Sequence, residues 1–235
     1  MSAGGANEGR ERVLGNIRRA LHRGPLDEAQ QALVNRRLNE HPRGPVPARG
    51  QLDAEGRLDL FQQMAEEVSA TVDRLDAWTD IPAAVAAYLR KHNMPSALAM
   101  APHPDLTGLQ WAWKMPTLVV TEGPAQGHTA VGLSRAFAGV AETGTLVLRS
   151  GADSPTTVNF LPDTHIVAVR AEEIAGGFEE VWERLRASLN GRSVPRTVNL
   201  ITGPSRTADI EQTLQLGAHG PRKLHILVVT NDDGG

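Results

Sequence analysis

Short, continuously apolar runs punctuate the second half of this chain: Ala97–Met100, Thr117–Thr121, Gly139–Ala141, Thr145–Leu148, His165–Val169, Thr197–Ile201 and Leu224–Thr230. Their length suits strands. Their lack of apolar–polar alternation is that of strands covered on both faces, as in parallel sheets. Turn residues and helical patterns separate them, and Glu172–Leu189 is the clearest helix, with Phe178, Val181, Trp182 and Leu185 on one face. Alternation of this kind predicts an α/β fold with an open, mostly parallel, Rossmann-like sheet. Ligands of such sheets sit beyond the carboxyl ends of the strands, in loops that lead into helices.

The first half reads as helical. Residues 8–23 and 27–40 carry apolar residues at helical spacing, and HPRGPVPARG follows at 41–50. That Pro- and Gly-rich stretch reads as a linker or wrapping arm. The expected organisation is a helical arm with linker over 1–50 and an α/β domain over 51–235. A longer helix is expected from Leu58 to Leu75, its face formed by Leu60, Phe61, Met64, Val68, Val72 and Leu75. Another opens at Asp80, with Pro82 in its first turn.

Composition excludes several chemistries. No cysteine is present, which removes disulfides, thiolate catalysis and cysteine-ligated clusters. The eight histidines show no zinc spacing, and neither GxGxxG nor a Walker loop occurs. No metal and no cofactor is therefore expected. The net charge is −3. Residues 1–50 hold nine Arg against five Asp or Glu, a net of +4, so the remainder carries −7. The basic start reads as a solvated helical arm, not a nucleic-acid or membrane contact. With no signal-peptide core and no apolar stretch near the ~18 residues of a span, a cytoplasmic protein without membrane insertion is expected.

Two loops could carry chemistry. In LITGPSRTADIEQTLQLGAHGP, residues 200–221, Gly203-Pro204 ends a strand and Ser205 or Thr207 can cap a helix over Ala208–Leu216. Arg206 adds a donor where helix N–H groups already favour anions. Gly203, Ser205, Arg206, Thr207 and Asp209 are the candidate binding residues. A well-capped helix with no ligand would use the same residues. Asp209 repels polyphosphate, which favours a small acid or a sugar hydroxyl. His219, between glycine-containing turns, is a candidate acid–base or a plain turn residue. In the second loop, Glu142 followed by Thr143, Gly144 and Thr145 could supply a base or nucleophile. It could equally pair with an arginine or cap a neighbouring helix. Asn159 could add an amide to the same cleft. Trp111 and Trp113 are expected to pack.

The segments AETGTLVL, LPDTHIVAV, ITGPSRTADIE and GAHGP, in that order, resemble the LUD-domain family, most strongly from Val131 to Val229. The resemblance implies the Rossmann-like fold of ribose-5-phosphate isomerase, glucosamine-6-phosphate deaminase and CoA transferases. It implies a part in bacterial oxidation of L-lactate to pyruvate alongside two iron–sulfur partner proteins, as the cluster-free component. Glu142-Thr143-Gly144 is similar to the glutamate and following glycine of CoA transferases. The leading expectation is an accessory component that binds a small carboxylate or phosphate-type ligand. The alternatives are an independent isomerase or acyl-transfer enzyme using Glu142 with His219, and a ligand-sensing regulatory protein.

Overall fold

The computed structural model describes residues 3–191, 193–207, 215–216 and 219–231. The chain forms two compact units, Met1–Gly44 and Pro45–Gly235. In the first, helices α1 (Ala3–Ala20) and α2 (Glu28–Glu40) are the regular elements. The Asp27 carboxylate accepts from the Gln30 N–H at 2.7 Å, and the Gln30 side chain accepts from the Asp27 N–H at 3.2 Å. This reciprocal cap satisfies two donors that a helix start leaves free. Val13, Ile17, Leu21, Leu33 and Leu38 all remain exposed.

The second unit contains helices α3 (Ala54–Glu67), α4 (Ile81–Lys91), α5 (Pro104–Thr107), α6 (Trp111–Lys114), α7 (Thr156–Phe160) and α8 (Phe178–Leu189). Its strands are β1 (Thr71–Leu75), β2 (Ala97–Met100), β3 (Val119–Glu122), β4 (Val131–Arg135), β5 (Ala138–Val140), β6 (Thr145–Arg149), β7 (Thr164–Arg170), β8 (Ile174–Ala175), β9 (Val198–Ile201), β10 (Arg206–Thr207), β11 (Gln215–Leu216) and β12 (Lys223–Val229). Six of them form a wholly parallel sheet in the order β1-β12-β7-β4-β2-β3. Its central strands are covered on both faces. Ile166 and Ala168 of β7 join Leu227 and Val229 of β12 against α4, while Val167, Val169, Ile226 and Val228 face α3. Each residue of β7 therefore chooses a side by parity alone.

The expected α/β class, with a mostly parallel sheet, is present, and three expectations change. First, not every apolar run joins the parallel sheet. β8, β5, β6 and β9 form a second sheet in that order, with β5–β6 and β6–β9 antiparallel. Second, the helix expected over 58–75 ends at Glu67. Ser69 takes a left-handed φ of +71°, and the β-branched Thr71 and Val72 begin an edge strand on β12. Third, the helix expected over Ala208–Leu216 does not reach its C-terminal residues, because Gln215 and Leu216 pair with Arg206 and Thr207 in an antiparallel ladder. Residues 208–214, Asp209 included, lie outside the described residues. Trp111 is buried and donates its indole N–H to the Leu106 carbonyl at 2.8 Å, whereas Trp113 is exposed.

Candidate functional site

A cavity of about 300 Å³ opens where β9 ends, beside the amino ends of β7 and β12. That volume is at the low end of small-molecule sites. Ile201, Thr202, Gly203, Ser205 and Arg206 form one wall, His219 and Gly220 another, and Asn159 with His165 a third. The site is thus at the amino edge of the parallel sheet, not the expected carboxyl edge. The reason is topological: β9 belongs to the second sheet, so the loop after it is not a carboxyl-edge loop of the first.

Local sequence explains how these walls meet. Gly203 adopts φ +75°, and a Cβ there would lie 2.5 Å from the Val68 carbonyl oxygen. Only glycine lets this turn lie against the end of α3 at that angle. Arg206 then donates to the Val68 carbonyl and, at 2.7 Å, to the Ser69 hydroxyl. The Ser205 N–H donates to the Pro221 carbonyl at 2.8 Å and closes the two loops on each other. These contacts correct the expectation of a helix N-terminus with free N–H groups: Ser205 N is occupied, and Arg206–Thr207 is a strand. On the third wall, Gly132 of β4 stands opposite His165 in the ladder, and a Cβ on it would lie 2.5 Å from the Val158 carbonyl oxygen. Glycine here admits α7 close to the sheet and so carries Asn159 to the cavity.

His165 and its neighbour Ser134 were not singled out from the sequence. His165 is about 1% exposed, and its Nε2 lies 2.6 Å from the buried Ser134 hydroxyl. Its Nδ1 has no partner, nor does Oδ1 of the equally buried Asn159. Five buried side-chain polar atoms lack partners among the described residues, and these two belong to residues lining this cavity. Burial pushes the His165 imidazole down to about 3, so the ring is neutral at physiological pH. The only signal available in the sequence was a histidine inside an otherwise apolar strand.

The second candidate loop lies elsewhere. Glu142 is about 5% exposed and accepts from the Phe178 N–H, the first of α8, at 3.3 Å. Gly177, which precedes α8, has no side chain to cap it, and the glutamate supplies the missing acceptor. Glu142 is not among the residues lining the cavity. Gly144, at φ +62°, lets the loop touch α3, since a Cβ there would meet the Ala65 nitrogen. A hydroxyl chain links the two loops: Thr143 Oγ1 to Thr145 Oγ1 and Thr145 Oγ1 to Thr202 Oγ1, each 2.7 Å. Of the candidates named from sequence, Asn159, Gly203, Ser205, Arg206 and His219 therefore meet at the cavity. Thr145 reaches it only through Thr202, and Glu142 is occupied at α8.

The carboxyl edge of the parallel sheet is filled instead by an ionic network. Arg135, at the end of β4, reaches Asp105 at 3.3 Å and Glu173 at 2.5 Å. Arg170, at the end of β7, contacts the same Asp105 carboxylate at 3.6 Å, and both guanidinium groups lie over the Trp78 ring.

Fold and site together define an α/β protein with a small polar cavity at the amino edge of a parallel sheet. Residues 124–229 match the LUD domain model, and the chain belongs to the LUD-domain family. Every residue that lines the cavity falls in that stretch. An uncharacterized protein, NMB1437, of Neisseria meningitidis is 42% identical over 101 residues, 43% of this chain and 42% of that protein. Lactate utilization protein C of Bacillus subtilis is 38% identical over 102 residues, again 43% of this chain and 42% of its own length. The aligned part thus spans less than half of these relatives. The uncharacterized YkgG of Escherichia coli is 29% identical over 94% of this chain and 98% of its own. The crystal structure of a DUF162 family protein from Deinococcus radiodurans superimposes with a TM-score of 0.57, at 22% identity, covering 76% of this chain and 99% of that one, and shares the fold.

Proposed function

We propose that this chain is an accessory component of a system that oxidises L-lactate to pyruvate, acting with iron–sulfur partner proteins and binding a small anionic ligand in the cavity beside β9. The observation that carries the reading is the coincidence of the cavity with the stretch 124–229 that matches the LUD domain, together with the likeness to lactate utilization protein C. The lining suits an anion. It includes Arg206 and two histidines, with no Asp or Glu among the described residues. It suits a carboxylate better than a phosphate group, because the Ser205 N–H is already bonded within the protein and Arg206 is partly committed to Val68 and Ser69.

Moving two electrons from lactate requires an acceptor. The sequence carries no cysteine and no dinucleotide motif, so the partner proteins supply the redox centres. The exposed apolar stripe of α1 is the natural contact for them, since an amphipathic helix gains stability by burying such a face. The test mixes purified chain, L-lactate and a dye acceptor, with and without the iron–sulfur partners. Dye reduction only in the complete mixture, and impaired growth on lactate after gene deletion, are expected. Robust lactate-dependent reduction by the chain alone would overturn the accessory reading.

A further inference from the structure

We infer that Asn159 and His165 read the hydroxyl of a 2-hydroxy acid at the inner wall of the cavity, so that the site selects short carboxylic acids by the substituent beside the carboxylate. The inference rests on the proposed anion-binding role of the same cavity and goes beyond it, because it names the polar group that is recognised and the residues that recognise it.

The argument starts from satisfaction of buried polar atoms. A buried donor or acceptor without a partner is unfavourable, and sequences retain such atoms where a ligand or water completes them. Here two stand on residues lining one small cavity, the Asn159 Oδ1 and the His165 Nδ1. Neither side chain is held in place by accident. Asn159 follows Val158, which α7 presses against Gly132, and His165 faces Gly132 in the neighbouring strand. His165 is fixed from behind by Ser134 at 2.6 Å.

The chemistry of the pair follows from donor counting. A buried serine hydroxyl has one hydrogen to place, and His165 Nε2 is within its reach. When Ser134 donates to Nε2, the single proton of the neutral imidazole sits on Nδ1, which becomes a donor. The Asn159 carbonyl is an acceptor. One donor and one acceptor are what an alcohol requires, since its oxygen accepts from His165 and its hydrogen goes to Asn159. A keto oxygen can use the donor only, and a methylene uses neither. A neutral imidazole also gives no ion pair, so the inner wall does not compete for the carboxylate. That group is left to Arg206 and to the exposed His219 at the opening. A pocket built to hydrogen-bond a hydroxyl rejects the analogue lacking it strongly, because its own polar atoms are then left unpaired.

The experiment is isothermal titration of the full chain with L-lactate, pyruvate and propionate as sodium salts at one ionic strength. The expected order is lactate tightest, pyruvate intermediate and propionate at least about tenfold weaker than lactate. In Asn159→Leu and His165→Leu the lactate-to-propionate ratio should fall to about twofold or less, with the melting temperature unchanged or raised, because an unpaired buried atom has been removed. Equal affinity for all three acids in the unsubstituted chain would overturn this inference and leave the anion site standing. No saturable binding of any of them would overturn both. The ligand series on the unsubstituted chain decides the matter even if a variant fails to fold.

Discussion

At the carboxyl ends of the parallel strands, Arg135 is held by Asp105 and Glu173, and Arg170 leans on the same Asp105 and on Trp78. At the amino ends, His165 and Asn159 each keep a buried polar atom with no partner, beside a cavity of about 300 Å³. In open α/β sheets the carboxyl edge is the usual ligand edge. In this protein its charges answer one another, and the unanswered groups are at the other end. The contrast teaches that position in a fold gives a prior for a site, whereas hydrogen-bond bookkeeping at named atoms locates it.

The largest expected effect is of pH, and it separates the two buried histidines from the rest of the molecule. Burial pushes His165 down to about 3, and burial, partly offset by the Asp73 carboxylate, pushes His225 down to about 4. Between those values and the ordinary imidazole value of about 6.5, the unfolded chain binds protons that the folded chain refuses. Stability is therefore complete above about pH 6.5 and falls as pH drops toward the folded values. The slope is about 1.4 kcal/mol per pH unit for each group, so close to 3 kcal/mol per unit for both. Urea unfolding between pH 7 and 5 should show it, and His165→Leu should remove about half of the slope. A flat profile would contradict the burial of these rings.

Arg135→Met tests the carboxyl edge. The arginine side chain is 8% exposed, while Asp105 and Glu173 keep about a quarter of theirs in water. The expected loss is about 2–3 kcal/mol, somewhat below the usual cost of breaking a fully buried pair, because water can rescue both carboxylates. Ligand affinity at the amino edge should be unchanged within about twofold. A variant as stable as the parent would mean that the network only decorates the edge, and the contrast between the two ends would weaken.

A smaller effect is expected for Glu142→Gln. The amide oxygen can still accept from the Phe178 N–H, so the loss of α8 capping should stay near or below about 1 kcal/mol. Binding in the cavity should not change. Abolished binding or turnover in a chain of normal stability would return Glu142 to the catalytic role that its neighbouring glycine suggested.

Much of this was legible in the sequence, for identifiable reasons. The runs that became β2, β7 and β12 are continuously apolar because both faces of the sheet are covered, and such runs declare themselves. β4 went unread: Val131–Arg135 contains Gly132, Ser134 and Arg135, and each answers to a tertiary neighbour instead of a strand pattern. Gly203, Ser205, Arg206 and His219 stood out because glycine and proline mark the loops around them. His165 did not, since its meaning depends on Ser134, 31 residues away and one strand over, and on parity that turns it toward the cavity. Glu142 misled because its nearest sequence neighbours carried the signal, whereas its partner at Phe178 is 36 residues away.

The most direct measurement is a crystal structure of the chain soaked with L-lactate. The account predicts density in the cavity beside β9, with the lactate hydroxyl within about 3 Å of Asn159 Oδ1 and His165 Nδ1, as hydrogen bonding requires, and the carboxylate toward Arg206. Lactate bound instead at the carboxyl edge, against His103, Arg149 and Ser154, would contradict it, and so would an empty amino-edge cavity in crystals that hold the ligand elsewhere.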